Sequence, residues 1–89
     1  MNSDTIKINL KDKVLLITGA TSGIGKAISK DLIKSNAKLI LTGRSKSKLE
    51  ELASEIKSEV LTISADLSNP KDVNHLIQES LNKFSRIDV

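Results

Sequence analysis

The segment Thr18-Gly19-Ala20-Thr21-Ser22-Gly23-Ile24-Gly25 concentrates three of the chain's four glycines, the residue type that lets backbone amides approach an anion closely. Its natural chemistry is phosphate binding. Gly19 turns the chain off a preceding strand, Gly23 leaves room for a pyrophosphate where a Cβ would intrude, and Gly25 allows the following helix to lie close to a sheet. Singly, each could close an ordinary turn. The spacing is GxxxGxG, which is neither the general GxGxxG fingerprint nor a Walker loop: the residue five after Gly19 is Ile24, and Lys26 precedes Ala27. A nucleoside-triphosphatase loop is therefore disfavoured. His75 is the only histidine and falls off the apolar stripe of its segment, so a solvent-facing role is expected, and with no cysteine no metal site is expected.

The elements that must position this loop are legible from periodicity. Val14-Leu15-Leu16-Ile17 is a short aliphatic run that predicts a strand buried on both faces, at about 13–18. From Ser22 the apolar positions Ile24, Ala27, Ile28 and Leu32 predict one helical stripe ending near Asn36. Leu39-Ile40-Leu41, stopped by Thr42-Gly43, predicts a second strand, and Ser47 with Glu50 has the spacing of a capping box before Leu49, Leu52, Ala53 and Ile56. Val60, Leu61 and Ile63 predict a third strand. Asn69-Pro70 then supplies an N-cap and a first-turn proline for a helix carrying Val73, Leu76, Ile77, Leu81 and Phe84. Ile87-Asp88-Val89 reads as the opening of a fourth strand. The order β-α-β-α-β-α-(β) with short connections predicts a parallel α/β sheet, doubly wound with strand order 3-2-1-(4). Its first two helices should share one face.

The composition excludes several functions. At 89 residues the chain holds one domain at most, and 38% hydrophobic with 28% charged residues is an ordinary globular balance. Residues 1–9 are polar and read as a loose lead-in to a domain spanning 10–89. The net charge of +3 invites a nucleic-acid reading. Against it, the basic residues alternate with acids and Phe84 is the only aromatic, so there is neither a basic stripe nor a stacking platform. The longest aliphatic run is far short of the ~20 residues that span a bilayer, and the expected location is the cytoplasm.

With TGATSGIG at a strand-to-helix junction, the sequence resembles the short-chain dehydrogenases/reductases, whose N-terminal motif is TGxxxGxG, over about residues 10–89. Within that family it resembles 3-oxoacyl-(acyl-carrier-protein) reductases and related small carbonyl reductases. The resemblance implies a nicotinamide cofactor held by Gly19, Thr21, Ser22, Gly23, Ile24 and Gly25. It also implies a cofactor-reading residue at the end of the second strand, where the chain reads Leu41-Thr42-Gly43-Arg44-Ser45 and has no carboxylate. An arginine there suits a 2′-phosphate, with Ser45 adding a hydrogen bond, so NADP(H) is expected over NAD(H). Many NADP-using members carry a basic residue just before the second motif glycine, where this chain has Ser22. Asp66-Leu67, at the end of the third strand, matches the family's acid and apolar pair that reads and lines the adenine pocket. The bland readings are a solvated Arg44 at a helix entrance and a turn aspartate beside Ser68-Asn69-Pro70. In their favour as a set, the glycine loop, Arg44 and Asp66 fall at the carboxyl ends of three successive strands, the rim where open α/β sheets bind ligands.

The family's catalytic Ser, Tyr and Lys have no counterpart here, since the chain contains no tyrosine. The chain is thus expected to be the N-terminal part of a larger reductase, inactive alone, whose full form takes a small carbonyl or alcohol substrate and is a homo-oligomer. Alone it is expected to be marginally stable, with the first strand's outer edge uncovered. A non-catalytic nucleotide-binding module and a nonfunctional remnant are the competing readings.

Overall fold

The computed structural model describes residues 11–32, 36–56 and 59–89. The lead-in expected at 1–9, and the last positions of the first expected helix, lie outside the described residues. The element order is β1 (Val14–Ile17), α1 (Gly23–Leu32), β2 (Lys38–Gly43), α2 (Lys46–Glu55), β3 (Val60–Ser64) and α3 (Pro70–Phe84). The three strands form one parallel sheet in the order β1-β2-β3, with Leu15 opposite Leu39 and Ile40 opposite Leu61. Strand alternation then sends neighbouring residues to opposite faces. Leu15, Leu39 and Leu41 pack with Leu49, Leu52 and Ile56, and with the half-buried Leu32 of α1. Val14, Ile40 and Ile63 pack with Leu76, Phe84 and Ile87 on the other face. The first two helices therefore share a face and the third takes the opposite one, which is the doubly wound arrangement the element order predicts.

Three local expectations are corrected. First, of the stripe expected on α1 only Leu32 packs on the core; Ala27 is exposed, Ile24 is 77% and Ile28 46% exposed, while Gly25 and Ser29 are buried. The helix meets the sheet through small residues because close approach, not side-chain bulk, fits it against the loop. Ser29 is admitted there because its hydroxyl donates to the Gly25 carbonyl at 2.8 Å. Second, α3 buries Leu76 and Ser80, whereas Ile77 and Leu81 are 42% and 44% exposed. Ser80 is likewise satisfied within its helix, on the Leu76 carbonyl at 2.7 Å. Third, the N-cap of α2 is Ser45, with extended backbone, whose side chain accepts from the Lys48 N–H at 3.3 Å. The Ser47–Glu50 box does not form, since the helix starts directly off β2 and Ser47 is already inside it. The cap of α3 is as expected, Asn69 accepting from the Lys71 N–H ahead of Pro70 in the first turn.

The outer edge of β1 is also less bare than expected. Val89 donates to the Val14 carbonyl at 3.2 Å and accepts from the Leu16 N–H at 2.7 Å, the alternation of a parallel ladder. The Val14 N–H donates to the Asp88 carboxylate at 2.7 Å. That bond, ahead of the Arg86 guanidinium, holds the Asp88 carboxyl below its ordinary value. No helix among the described residues is long and apolar enough to cross a membrane.

Candidate cofactor-binding site

The carboxyl ends of the three strands are stitched together by hydrogen bonds that leave their loops on one rim. The Ala20 N–H, just past β1, donates to the Thr42 carbonyl of β2 at 3.2 Å. The Ala65 N–H, just past β3, donates to the Gly43 carbonyl at 2.9 Å, and the Ser64 hydroxyl donates to the Arg44 carbonyl at 3.1 Å. Inside the sheet, the buried Thr42 hydroxyl donates to the Ile63 carbonyl at 2.7 Å. These bonds set the glycine loop, Arg44 and Asp66 around a single cleft of about 590 Å³. Its walls include Gly19, Thr21, Ser22, Arg44, Asp66 and Leu67. Sequence positions as far apart as 19 and 67 thus line one cavity, although nothing in their spacing requires it.

The glycines divide their labour in a way the atoms make explicit. Gly19 has φ of +60°, the left-handed region that a side chain disfavours. At Gly25 a Cβ would lie 2.1 Å from the Gly19 carbonyl oxygen, so the helix start is pressed onto the loop backbone. At Gly23 a Cβ would meet no protein atom within 4 Å. No internal contact demands glycine there, and the space beside it is what a phosphate needs. Ser22 organises the turn: its hydroxyl donates to the Gly19 carbonyl at 2.8 Å and accepts from the Gly25 N–H at 3.1 Å. Ser22 therefore serves as the helix cap, a role its position in the motif does not announce.

Asp66 is fixed from both sides. Its Oδ1 accepts from the Ser68 hydroxyl at 2.7 Å and the Ser68 N–H at 3.0 Å, while its own N–H donates to Asp72 Oδ2 at 2.8 Å. The turn reading of Asp66 and the adenine reading are therefore compatible, because one oxygen holds the turn and the other is outside these bonds. The Ser68 hydroxyl, then the Ser68 N–H, hold the carboxyl below its ordinary value, and the Arg44 charge works in the same direction. The Asp66 carboxylate thus stays ionised to a pH below its ordinary value. Ser68→Ala is expected to raise the Asp66 pKa towards that value, read by NMR titration of the carboxyl carbon. An unchanged titration would remove the Ser68 hydroxyl as the cause.

Residues that fit a dinucleotide are thus gathered in one place, with the loop at Gly19 to Ser22, a cation at Arg44 and an acceptor at Asp66. The model of the short chain dehydrogenase family matches residues 13–89. The chain belongs to that family. The chain is 42% identical over 82 residues to an oxidoreductase of Staphylococcus saprophyticus, covering 91% of this chain and 33% of the relative. Among solved structures it is similar to the 3-ketoacyl-(acyl-carrier-protein) reductase of Brucella melitensis complexed with NADH, with a TM-score of 0.85 and 39% identity. That likeness covers 89% of this chain and 32% of the reductase. A short chain dehydrogenase/reductase of Burkholderia phymatum in complex with NAD aligns with a TM-score of 0.84 and 27% identity, over 91% of this chain and 30% of the other. The chain spans about a third of the length of the relatives it matches.

Four of the expected site residues do not line the cleft. Gly23 and Gly25 shape its loop, Ile24 is turned outward, and Ser45 spends its hydroxyl capping α2 and contacting Ser47 Oγ at 3.2 Å. The residues that sequence reasoning missed are Gly43, Lys48, Ala65 and Ser68 on the walls, and Asp72 behind them. A signal for Asp72 was present, since an acid in the first turn of a capped helix looks for backbone N–H donors. It reaches Asp66 in place of its own N-cap. His75 is exposed, as expected. No group of His, Cys, Asp or Glu that could hold a metal occurs among the described residues.

Proposed function

We propose that this chain is the dinucleotide-binding part of an oxidoreductase that interconverts a carbonyl and an alcohol by hydride transfer, and that it prefers NADP(H) to NAD(H). The observation that carries the reading is the single cleft lined by the glycine loop, Arg44 and Asp66, with no carboxylate at the end of β2 to hold the ribose hydroxyls. Bound there, the nicotinamide group supplies the hydride chemistry, and the chain's own residues bind and orient. The glycine loop would hold the pyrophosphate, the Arg44 guanidinium would pair with the 2′-phosphate, and Asp66 with Leu67 would receive the adenine. Likeness to the Brucella 3-ketoacyl-(acyl-carrier-protein) reductase supports a 3-oxoacyl thioester as substrate of the whole protein. The 89 residues include no tyrosine to act as proton donor, so turnover by this chain alone is not expected.

Equilibrium titration of the chain with NADP and NAD tests the preference. NADP is expected to bind more tightly, and Arg44→Ala to weaken NADP by roughly 10- to 100-fold while leaving NAD within about twofold, the range for losing one charge-assisted phosphate contact. Equal affinities in the unsubstituted chain would overturn the 2′-phosphate reading.

A further inference from the structure

We infer that Lys48 is a second specificity-determining cation of this site, acting beside Arg44 on the 2′-phosphate; the inference rests on the NADP reading above. Lys48 lies in the first turn of α2, four residues after Arg44, and the two side chains line the same cleft together with Thr21 and Ser22. It also lines, with Thr21, Lys26, Glu51 and Leu52, an adjoining depression of about 190 Å³ between α1 and α2. Lys48 therefore stands at the junction of the two hollows, on the side of the cleft where the end of β2 places Arg44.

Its neighbours are committed elsewhere. Lys26 and Lys30 approach Glu55 at 3.8 and 3.2 Å, and Lys46 approaches Glu50 at 4.0 Å. Lys48 forms no ion pair among the described residues, although Glu51 shares the smaller depression with it. Its backbone N–H is already taken by Ser45 Oγ. What this residue offers the cleft is thus its ammonium group alone. An unneutralised ammonium on a flexible stem can meet a dianion that Arg44 grips through its planar fork, and two cations suit a phosphate bearing nearly two charges. A nucleotide that ends in ribose hydroxyls presents nothing comparable, so the contribution falls on NADP and not on NAD.

The test is titration of the chain and of Lys48→Gln, Lys48→Arg and Arg44→Ala with NADP, NAD and 2′,5′-ADP at low and moderate salt, with circular dichroism confirming the fold of each. Lys48→Gln is expected to weaken NADP and 2′,5′-ADP by about tenfold at low salt, with a shallower salt dependence, while NAD is unchanged. Lys48→Arg should restore most of the loss. If Arg44→Ala discriminates between the nucleotides but Lys48→Gln binds NADP as the parent does, or weakens NAD equally, the inference is overturned and the NADP reading stands. If the parent chain binds NADP no better than NAD, the NADP reading falls and Lys48 with it.

Discussion

Gly25→Ala is expected to abolish nucleotide binding and to destabilise the fold, the largest effect of any single methyl group added to this molecule. The new Cβ would stand 2.1 Å from the Gly19 oxygen, 2.9 Å from the Gly19 carbonyl carbon and 3.0 Å from the Ala20 Cα. All three are backbone atoms, so no side chain can swing aside. Nor can the loop retreat, because Ala20 is fully buried and its N–H is bonded to the Thr42 carbonyl of the central strand. Overpacking of this kind costs about 1–3 kcal/mol or more, and the relief available is displacement of the loop that cradles the phosphate. Urea unfolding and NADP titration of the same preparation read both consequences. Gly23→Ala is the control, since its Cβ meets no protein atom within 4 Å. It should fold as the parent does while binding nucleotide less well. Parent-like affinity in Gly25→Ala would show that the helix start and the loop are not locked together.

Leu41→Ala should remove most of the cooperative stability. Leu41 sits in the middle strand, opposite Ile17 on one side and Thr62 on the other, and is fully buried with Leu49 and Leu52 above it. Truncation of such a residue costs about 2–5 kcal/mol, because the lost transfer energy is joined by a cavity that a sheet between two helix layers cannot close. A chain of this size holds roughly 4–13 kcal/mol in all, at ~0.05–0.15 kcal/mol per residue. A large fall in the urea midpoint, or no folded baseline at all, is the expected result. Ile28→Ala provides the contrast: at 46% exposure its loss should change stability by about 0.5 kcal/mol or less. A Leu41→Ala chain as stable as the Ile28→Ala chain would mean that the cluster around β2 is not a packed core.

The comparison of Leu41 with Ile28 also shows where periodicity succeeds and where it misleads. Leu39-Ile40-Leu41 is a run too short for anything but a strand and too apolar for an edge, and it is the buried centre of the sheet. On α1, by contrast, counting apolar positions selects Ile24, Ala27, Ile28 and Leu32, of which only Leu32 packs on the core, while the fully buried positions are Gly25 and Ser29. A small residue can be at the sheet for closeness, and a serine can be there because its hydroxyl is satisfied by its own helix, as Ser29 and Ser80 both are. Hydropathy registers neither. The α2 cap moved from Ser47 to Ser45 for a similar reason: both serines suit a cap, and only the distance between β2 and the helix decides which one is used.

By itself the amino-acid order determined the alternation of strands and helices, the doubly wound parallel sheet and the glycine loop at the first strand-to-helix junction. These follow from short-range causes: apolar periodicity, capping residues and the conformations that side chains forbid. That order also put the loop, Arg44 and Asp66 on one rim; tertiary structure alone decided that Lys48 joins them in the cleft and that Asp72 and Ser68 hold Asp66 in place. Those relations depend on how parallel strands are laid side by side, through bonds such as Ala20 to Thr42 and Ala65 to Gly43 that join residues more than twenty positions apart. Local patterns carry no record of such distances, because the sheet fixes them only once its strands have paired.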